Sequence, residues 1–170
     1  MGIAALARCR HLLPQALKRN IYLAYVHSYL SYCLSLYGLN YLNKIMPLHV
    51  LQKRALRIVL DIGYRDSLKP HYTPLDVLPV PLLVRYNALV QIRLMLTGMH
   101  PNVLDLHGSA ANTRGADNCR VIVKAAKSQS GKFTLGNLGV KSWNEVPPEI
   151  KSHPKIKVKL EQLLLKDTVQ

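Results

Sequence analysis

Hydrophobic positions recur at helical spacing along most of the chain, most densely between Asn20 and Leu60. At about 100° per residue, Tyr22, Tyr25, Val26, Tyr29, Cys33, Leu36 and Tyr37 fall in one stripe. Ala24, His27, Ser28, Ser31 and Ser35 lie opposite. This pattern predicts an amphipathic helix whose aromatic side packs against protein, with Tyr25, Tyr29 and Tyr37 as structural anchors. After a corner at Gly38–Pro47, a second helix places Leu48, Leu51, Ala55, Ile58 and Val59 on one face. Lys53, Arg54 and Arg57 stand roughly opposite, as a cationic outer surface.

The same reading extends outward from this pair. Met1–Leu13 predicts a short amphipathic helix stopped near Pro14. Asp61–Pro81 is a connector, since Gly63, Pro70, Pro74, Pro79 and Pro81 forbid a long helix, although Pro74–Val77 has room for a single turn. Leu82–Met99 is a third long helix, ended by Gly98 and His100-Pro101. Arg93 falls inside its apolar side and is expected to snorkel outward or pair with Asp76. A polar stretch follows, with Val121–Val123 and Lys132–Leu135 as partners for a short β pair. Trp143, the only tryptophan, anchors the tail; Pro147 and Pro148 suit a helix start. The last segment, Ile156–Leu165, turns Ile156, Leu160, Leu163 and Leu164 inward among four lysines.

The expected fold is therefore mainly α, a small helical domain of about four to five helices with room for a short β pair near residues 119–136. Its parts are a helical region over 1–100, a polar loop over 101–138 and a Trp-anchored helical tail over 139–170.

Charge sharpens the picture. Lys and Arg total 23 against nine Asp and Glu, a net charge of +14. The excess is uneven. Residues 1–60 hold eight cations and no acid, 61–110 are balanced at four against four, and 111–170 hold eleven against five. Two cationic regions around a neutral middle point to a polyanion, most simply nucleic acid. Lys53, Arg54 and Arg57 are the first candidates for phosphate contact, with Lys18 and Arg19 next.

Cys9, Cys33 and Cys119 form no CxxC pair, which fits free thiols in a reducing compartment, and Cys9 with His11 lacks further ligands at metal-binding spacing. No cofactor and no metal are expected. The N-terminus lacks the apolar run and cleavage site of a signal peptide. Ile21–Leu39 has about the length of a membrane span, but His27, three serines and five tyrosines make it a poor one. An intracellular protein of cytoplasm or nucleus is expected, without membrane or small-molecule partner. Tyr64-Arg65-Asp66-Ser67 resembles the polymerase YxDD turn but lacks its second Asp and reads as a loop. Two-metal chemistry needs paired carboxylates, and neither that pairing nor a nucleophile–base set or Gly-rich phosphate loop stands out.

In their order and spacing, several stretches resemble the region just downstream of the polymerase palm in non-LTR (LINE-type, jockey-like) retrotransposon reverse transcriptases. They are Gly2-Ile3 with Leu12-Leu13-Pro14, Tyr29-Leu30-Ser31-Tyr32-Cys33 with Tyr37-Gly38, and Leu51-Gln52-Lys53-Arg54-Ala55-Leu56-Arg57-Ile58. Thr73-Pro74-Leu75, Leu78, Thr113-Arg114 and Lys141-Ser142-Trp143-Asn144-Glu145-Val146-Pro147 complete the set. The chain departs where that family often has Trp at Tyr37, Gly at Cys33 and Phe near Val158. The resemblance implies a thumb and connector that track a template–primer backbone, in a parent whose fingers, palm and YxDD turn precede this region. It implies RNA or an RNA–DNA duplex as partner, together with a lost or separate palm. On this reading the chain is a truncated RNA-directed DNA polymerase fragment, not an enzyme as it stands. The alternative is a domesticated or non-functional remnant that serves as a protein–protein interaction module through its tyrosines or the apolar side of Leu82–Leu96.

Overall fold

Helices make up nearly all of the regular structure in the computed structural model, which describes residues 2–32, 34–38, 42–101, 104, 121–122 and 134–169. The side chains of 2, 35, 36, 42–44 and 167–169 are not described. The segments, in chain order, are α1 (Gly2–Arg8), α2 (Gln15–Tyr22), a π turn (Leu23–His27), α3 (Ser28–Ser31) and α4 (Leu34–Tyr37). After them come α5 (Leu42–Leu60), a 3-10 turn (Lys69–His71), α6 (Tyr72–Leu75), α7 (Val80–Leu96), a second π turn (Leu135–Gly139), α8 (Val140–Glu145), α9 (Pro148–Lys151) and α10 (Ile156–Val169). The mainly α expectation is met. The short β pair lies outside the described residues apart from Val121, Ile122, Thr134 and the π-turn residues Leu135 and Gly136.

Two helices run through the whole core. The N-terminal part of α7, from Val80 to Ala88, packs in one cluster with Tyr22, Val26, Leu30, Leu34, Ile45, Leu56 and Val59. Its C-terminal part, Leu89 and Ile92, packs with Val121, Val140, Trp143, Val146, Ile156 and Leu160. Helix α10 likewise sends Ile156 and Leu160 into the second cluster and Leu164 and Leu165 into the first. Trp143 is fully buried there, with the Lys151 ammonium 5.7 Å from its ring centre. The tail is further tied by Arg85 to Glu145 at 2.7 Å and by the Asn144 amide, which pairs with both backbone groups of Val121 at 2.9 and 3.0 Å.

The first predicted helix is differently phased. Its buried line is Tyr22, Val26, Leu30 and Leu34, four residues apart at each step. A straight α-helix would drift off that line at 3.6 residues per turn. The π turn at Leu23–His27 and the extended backbone of Tyr32 (ψ 122°) supply the extra residues. The consequence is a correction. Tyr25 and Tyr29 are 60% and 78% exposed and anchor nothing, and Tyr37 is exposed too. The Tyr37 hydroxyl nevertheless donates to the Leu30 carbonyl at 2.8 Å, which the break at Tyr32 leaves near the end of its helix. Those same interruptions mean that Ile21–Leu39 is no continuous span. No single helix among the described residues is long and apolar enough to cross a membrane.

The Gly38–Pro47 corner also needs correcting. Helix α5 begins at Leu42 and carries Pro47 inside it. As its sixth residue, Pro47 forfeits only the bond to the Asn43 carbonyl, close to an end where ladder bonds are already missing. The turn lies before it, where Gly38 donates to Leu34 at 2.8 Å. The buried line of α5 is Ile45, His49, Gln52, Ala55, Leu56 and Val59, so of the expected Leu48, Leu51, Ala55, Ile58 and Val59 the structure buries Ala55 and Val59, half-buries Leu48 and Ile58, and centres the inner face on Gln52 and Leu56. Leu51 is accordingly exposed.

Gln52 occupies the centre of that buried line and joins three elements. Its amide nitrogen donates to the Tyr22 hydroxyl at 3.1 Å and to the Leu78 carbonyl at 2.8 Å. Its carbonyl accepts from the Val80 backbone N–H, in the first turn of α7, at 2.8 Å and lies 3.4 Å from His49 Nδ1. Burial pushes the Tyr22 phenol up to about 12, against the lowering effect of the Gln52 bond. Burial, with the Lys53 charge adding to it, lowers the His49 pKa.

Candidate nucleic-acid interface

The way α5 faces the core decides what its cations present. Arg54 lies outermost and is exposed, while Lys53 and Arg57 flank the buried line and are half-covered. The turn that follows α1 comes alongside and brings Arg10 and His11 to the same surface. Beyond the end of α5 the chain reverses through Asp61, whose φ is +56°. It then closes a short turn. The Asp66 carboxylate accepts from the Gly63 N–H at 2.6 Å, and the Arg57 guanidinium donates to the Asp66 carbonyl at 3.2 Å.

This turn sets the Tyr64 ring over Arg57, with 5.5 Å from guanidinium carbon to ring centre. Two adjoining hollows of about 400 and 510 Å³ result, and both are lined by Arg54, Arg57 and Tyr64. Arg10, His11, Ile58 and Ile62 complete one; Val50, Leu51 and Lys53 complete the other. No carboxylate lines either hollow among the described residues. The arrangement can attract phosphates and offer an aromatic surface beside them. Among the described residues no three His, Cys, Asp or Glu side chains gather as a metal site.

Comparison with protein-family models, with curated proteins and with solved structures gives no match to this chain. The site is therefore judged by its own geometry.

That geometry separates the five cations singled out in the sequence. Lys53, Arg54 and Arg57 share the surface just described. Lys18 does not, because its side chain is buried and its ammonium contacts the Asp61 carboxylate and, at 3.4 Å, the Arg10 carbonyl. Arg10 reaches the other Asp61 oxygen at 3.3 Å. The Lys18 hydrogen bond holds the Asp61 carboxyl below its usual range against the opposing effect of desolvation, and Arg10 adds a smaller lowering. Arg19 is also engaged internally, with Nε and Nη2 both donating to the Leu75 carbonyl at 3.0 and 2.8 Å. That carbonyl ends α6, where Asp76 turns left-handed (φ +52°), so Arg19 supplies a donor to an otherwise open helix end. Lys18 and Arg19 are structural cations, which corrects their assignment as phosphate contacts.

Arg93 makes no ion pair with Asp76 among the described residues; it lines a cleft beside Pro154–Lys157. The sequence pattern does not single out Tyr64, Arg10 and His11 for this surface. Tyr64 sits seven residues beyond Arg57 across a Gly-containing turn, which is the one local sign that it could fold back.

Proposed function

We propose that this chain is the thumb-and-connector region of a non-LTR retrotransposon reverse transcriptase. On this proposal it contacts the backbone of RNA or an RNA–DNA duplex without sequence specificity and does not itself polymerise. The observation that supports the binding role is the pair of carboxylate-free hollows where Lys53, Arg54 and Arg57 converge. Phosphate contact needs positive charge at the right spacing and no base-reading group. The family reading rests on the sequence resemblance alone.

A salt titration of RNA binding to the chain tests the role. The double variant Lys53→Glu, Arg54→Glu should bind weakly, with the slope of log K against log salt reduced by about 1.5 for two lost phosphate contacts. Both residues lie outside the buried line, so the variant should keep its fold. Unchanged affinity and slope would remove the site.

A second reading has its own support. Tyr25, Tyr29 and Tyr32 stand exposed within one short segment, and exposed tyrosines favour protein docking. The other proposed docking surface, the apolar side of α7, is largely occupied by the chain's own core. A protein partner held by the tyrosines should survive high salt and be lost when the three are replaced by serine.

A further inference from the structure

The cationic surface contains one residue that phosphate binding does not require. Tyr64 is 82% exposed, yet it is firmly placed. The Ile62 N–H donates to the Arg57 carbonyl at 3.2 Å, the Asp66 N–H to the Gly63 carbonyl at 3.3 Å, and the Gly63 N–H to the Asp66 carboxylate at 2.6 Å. Arg57 then spans the turn by its bond to the Asp66 carbonyl and lies against one side of the Tyr64 ring. Gly63 is part of the fit, because a Cβ there would meet an Asp66 carboxylate oxygen at 2.9 Å. An aromatic ring is thus held on a closed turn, backed by a guanidinium, between two cationic hollows.

We infer that this surface takes an unpaired strand, with one base stacked on the free side of Tyr64 and its neighbouring phosphates on Lys53 and Arg54. The inference rests on the nucleic-acid reading above and narrows it. In a duplex the π-faces of the bases are covered by their neighbours, and a protein meets phosphates and groove edges. A single strand can splay a base onto an aromatic side chain, and this stacking tolerates any sequence because every base has a π-face. The Arg57–Tyr64 pair supplies the platform and the flanking cations supply the electrostatic track. Neither needs a hydrogen bond to a base edge.

The test uses the full chain and two labelled RNA ligands of about twelve nucleotides, an unstructured single strand and a blunt duplex, followed by fluorescence anisotropy. The single strand should bind more tightly. Tyr64→Ala should weaken it roughly tenfold, leave duplex binding unchanged and leave the salt slope intact, since stacking releases no counterion. Tyr64→Phe should restore binding. Circular dichroism checks that each variant folds, as an exposed side chain should allow. Equal binding of both ligands, or a Tyr64→Ala variant with wild-type affinity for the single strand, overturns the inference while the backbone-contact reading stands. Failure to bind either ligand overturns both.

Discussion

Replacing Gln52 by leucine removes one amide and leaves three buried partners stranded. They are the Val80 N–H at the start of α7, the Leu78 carbonyl before it and the Tyr22 oxygen on α2. All lie in the cluster where α2, α5 and α7 meet, and Gln52 itself is fully buried. A buried polar group that loses its partner costs about 1–3 kcal/mol, far more than a neutral hydrogen bond contributes net. Three such groups, partly offset by the apolar gain of leucine, give a loss of about 3–5 kcal/mol. Against a typical total of about 5–15 kcal/mol, that is a large share. With a slope of about 2 kcal/mol per molar urea, the unfolding midpoint should fall by roughly 2 M. Trp143, the sole tryptophan and fully buried in the neighbouring cluster, provides the fluorescence signal. Tyr22→Phe is the control. It removes one partner and leaves the Gln52 bonds to Leu78 and Val80, so its cost should be about 1 kcal/mol. If Gln52→Leu lowers the midpoint no further than Tyr22→Phe, or raises it, the junction is not what holds these helices together.

Asp61 offers a pH test. Its folded carboxyl lies below the unfolded value, first because of Lys18, so its pairing stabilises the fold above about pH 4 and is lost as pH falls through the folded pKa. Asp61→Asn should be less stable than wild type at neutral pH and should lose less on acidification, read as urea midpoints at two pH values; parallel curves would contradict the pairing. Two glycines make a matched contrast. At Gly38 a Cβ would lie 2.5 Å from the Leu34 carbonyl oxygen and 2.7 Å from Val84 Cγ2, so Gly38→Ala should cost about 1–3 kcal/mol. At Gly139 the nearest obstacle is the end of the Leu135 side chain at 2.8 Å, which can turn aside, so Gly139→Ala should be nearly neutral in the same melts. Equal effects at the two sites would contradict this steric account.

What the sequence made legible is what periodicity encodes. Helices α5, α7 and α10 are long enough for their apolar spacing to outweigh local noise, and the proline-rich connector appears as a break, though its helical stretch runs over Lys69–Leu75 and not from Pro74 to Val77. What it concealed is phase. In α5 two of the six buried positions among the described side chains are His49 and Gln52, so an apolar count finds Ala55 and Val59 but takes in the exposed Leu51 in place of the polar pair. A buried polar side chain is favourable only when its partners arrive, and those of Gln52 come from residues 26 to 30 positions away. No local pattern announces that. The π turn hides in the same way, because a change from 3.6 residues per turn to four looks like a stripe of tyrosines on the wrong side.

Charge was legible in amount and not in use. The first sixty residues contain no acid, and the first one, Asp61, receives both Arg10 and Lys18. A third cation, Arg19, is spent on a helix end. These three link the N-terminal segments to the end of α5 and to α6, so part of the apparent basic surface of the first sixty residues serves as scaffolding. Net charge therefore overstates what remains to meet a polyanion. Among the cations left, Lys53, Arg54 and Arg57 fall within five consecutive positions on one helix, with Tyr64 folded back over the last of them. A merely solvating surface has no need of that aromatic neighbour or of the turn that fixes it. That combination, more than the total of +14, is the observation on which the proposed strand binding rests.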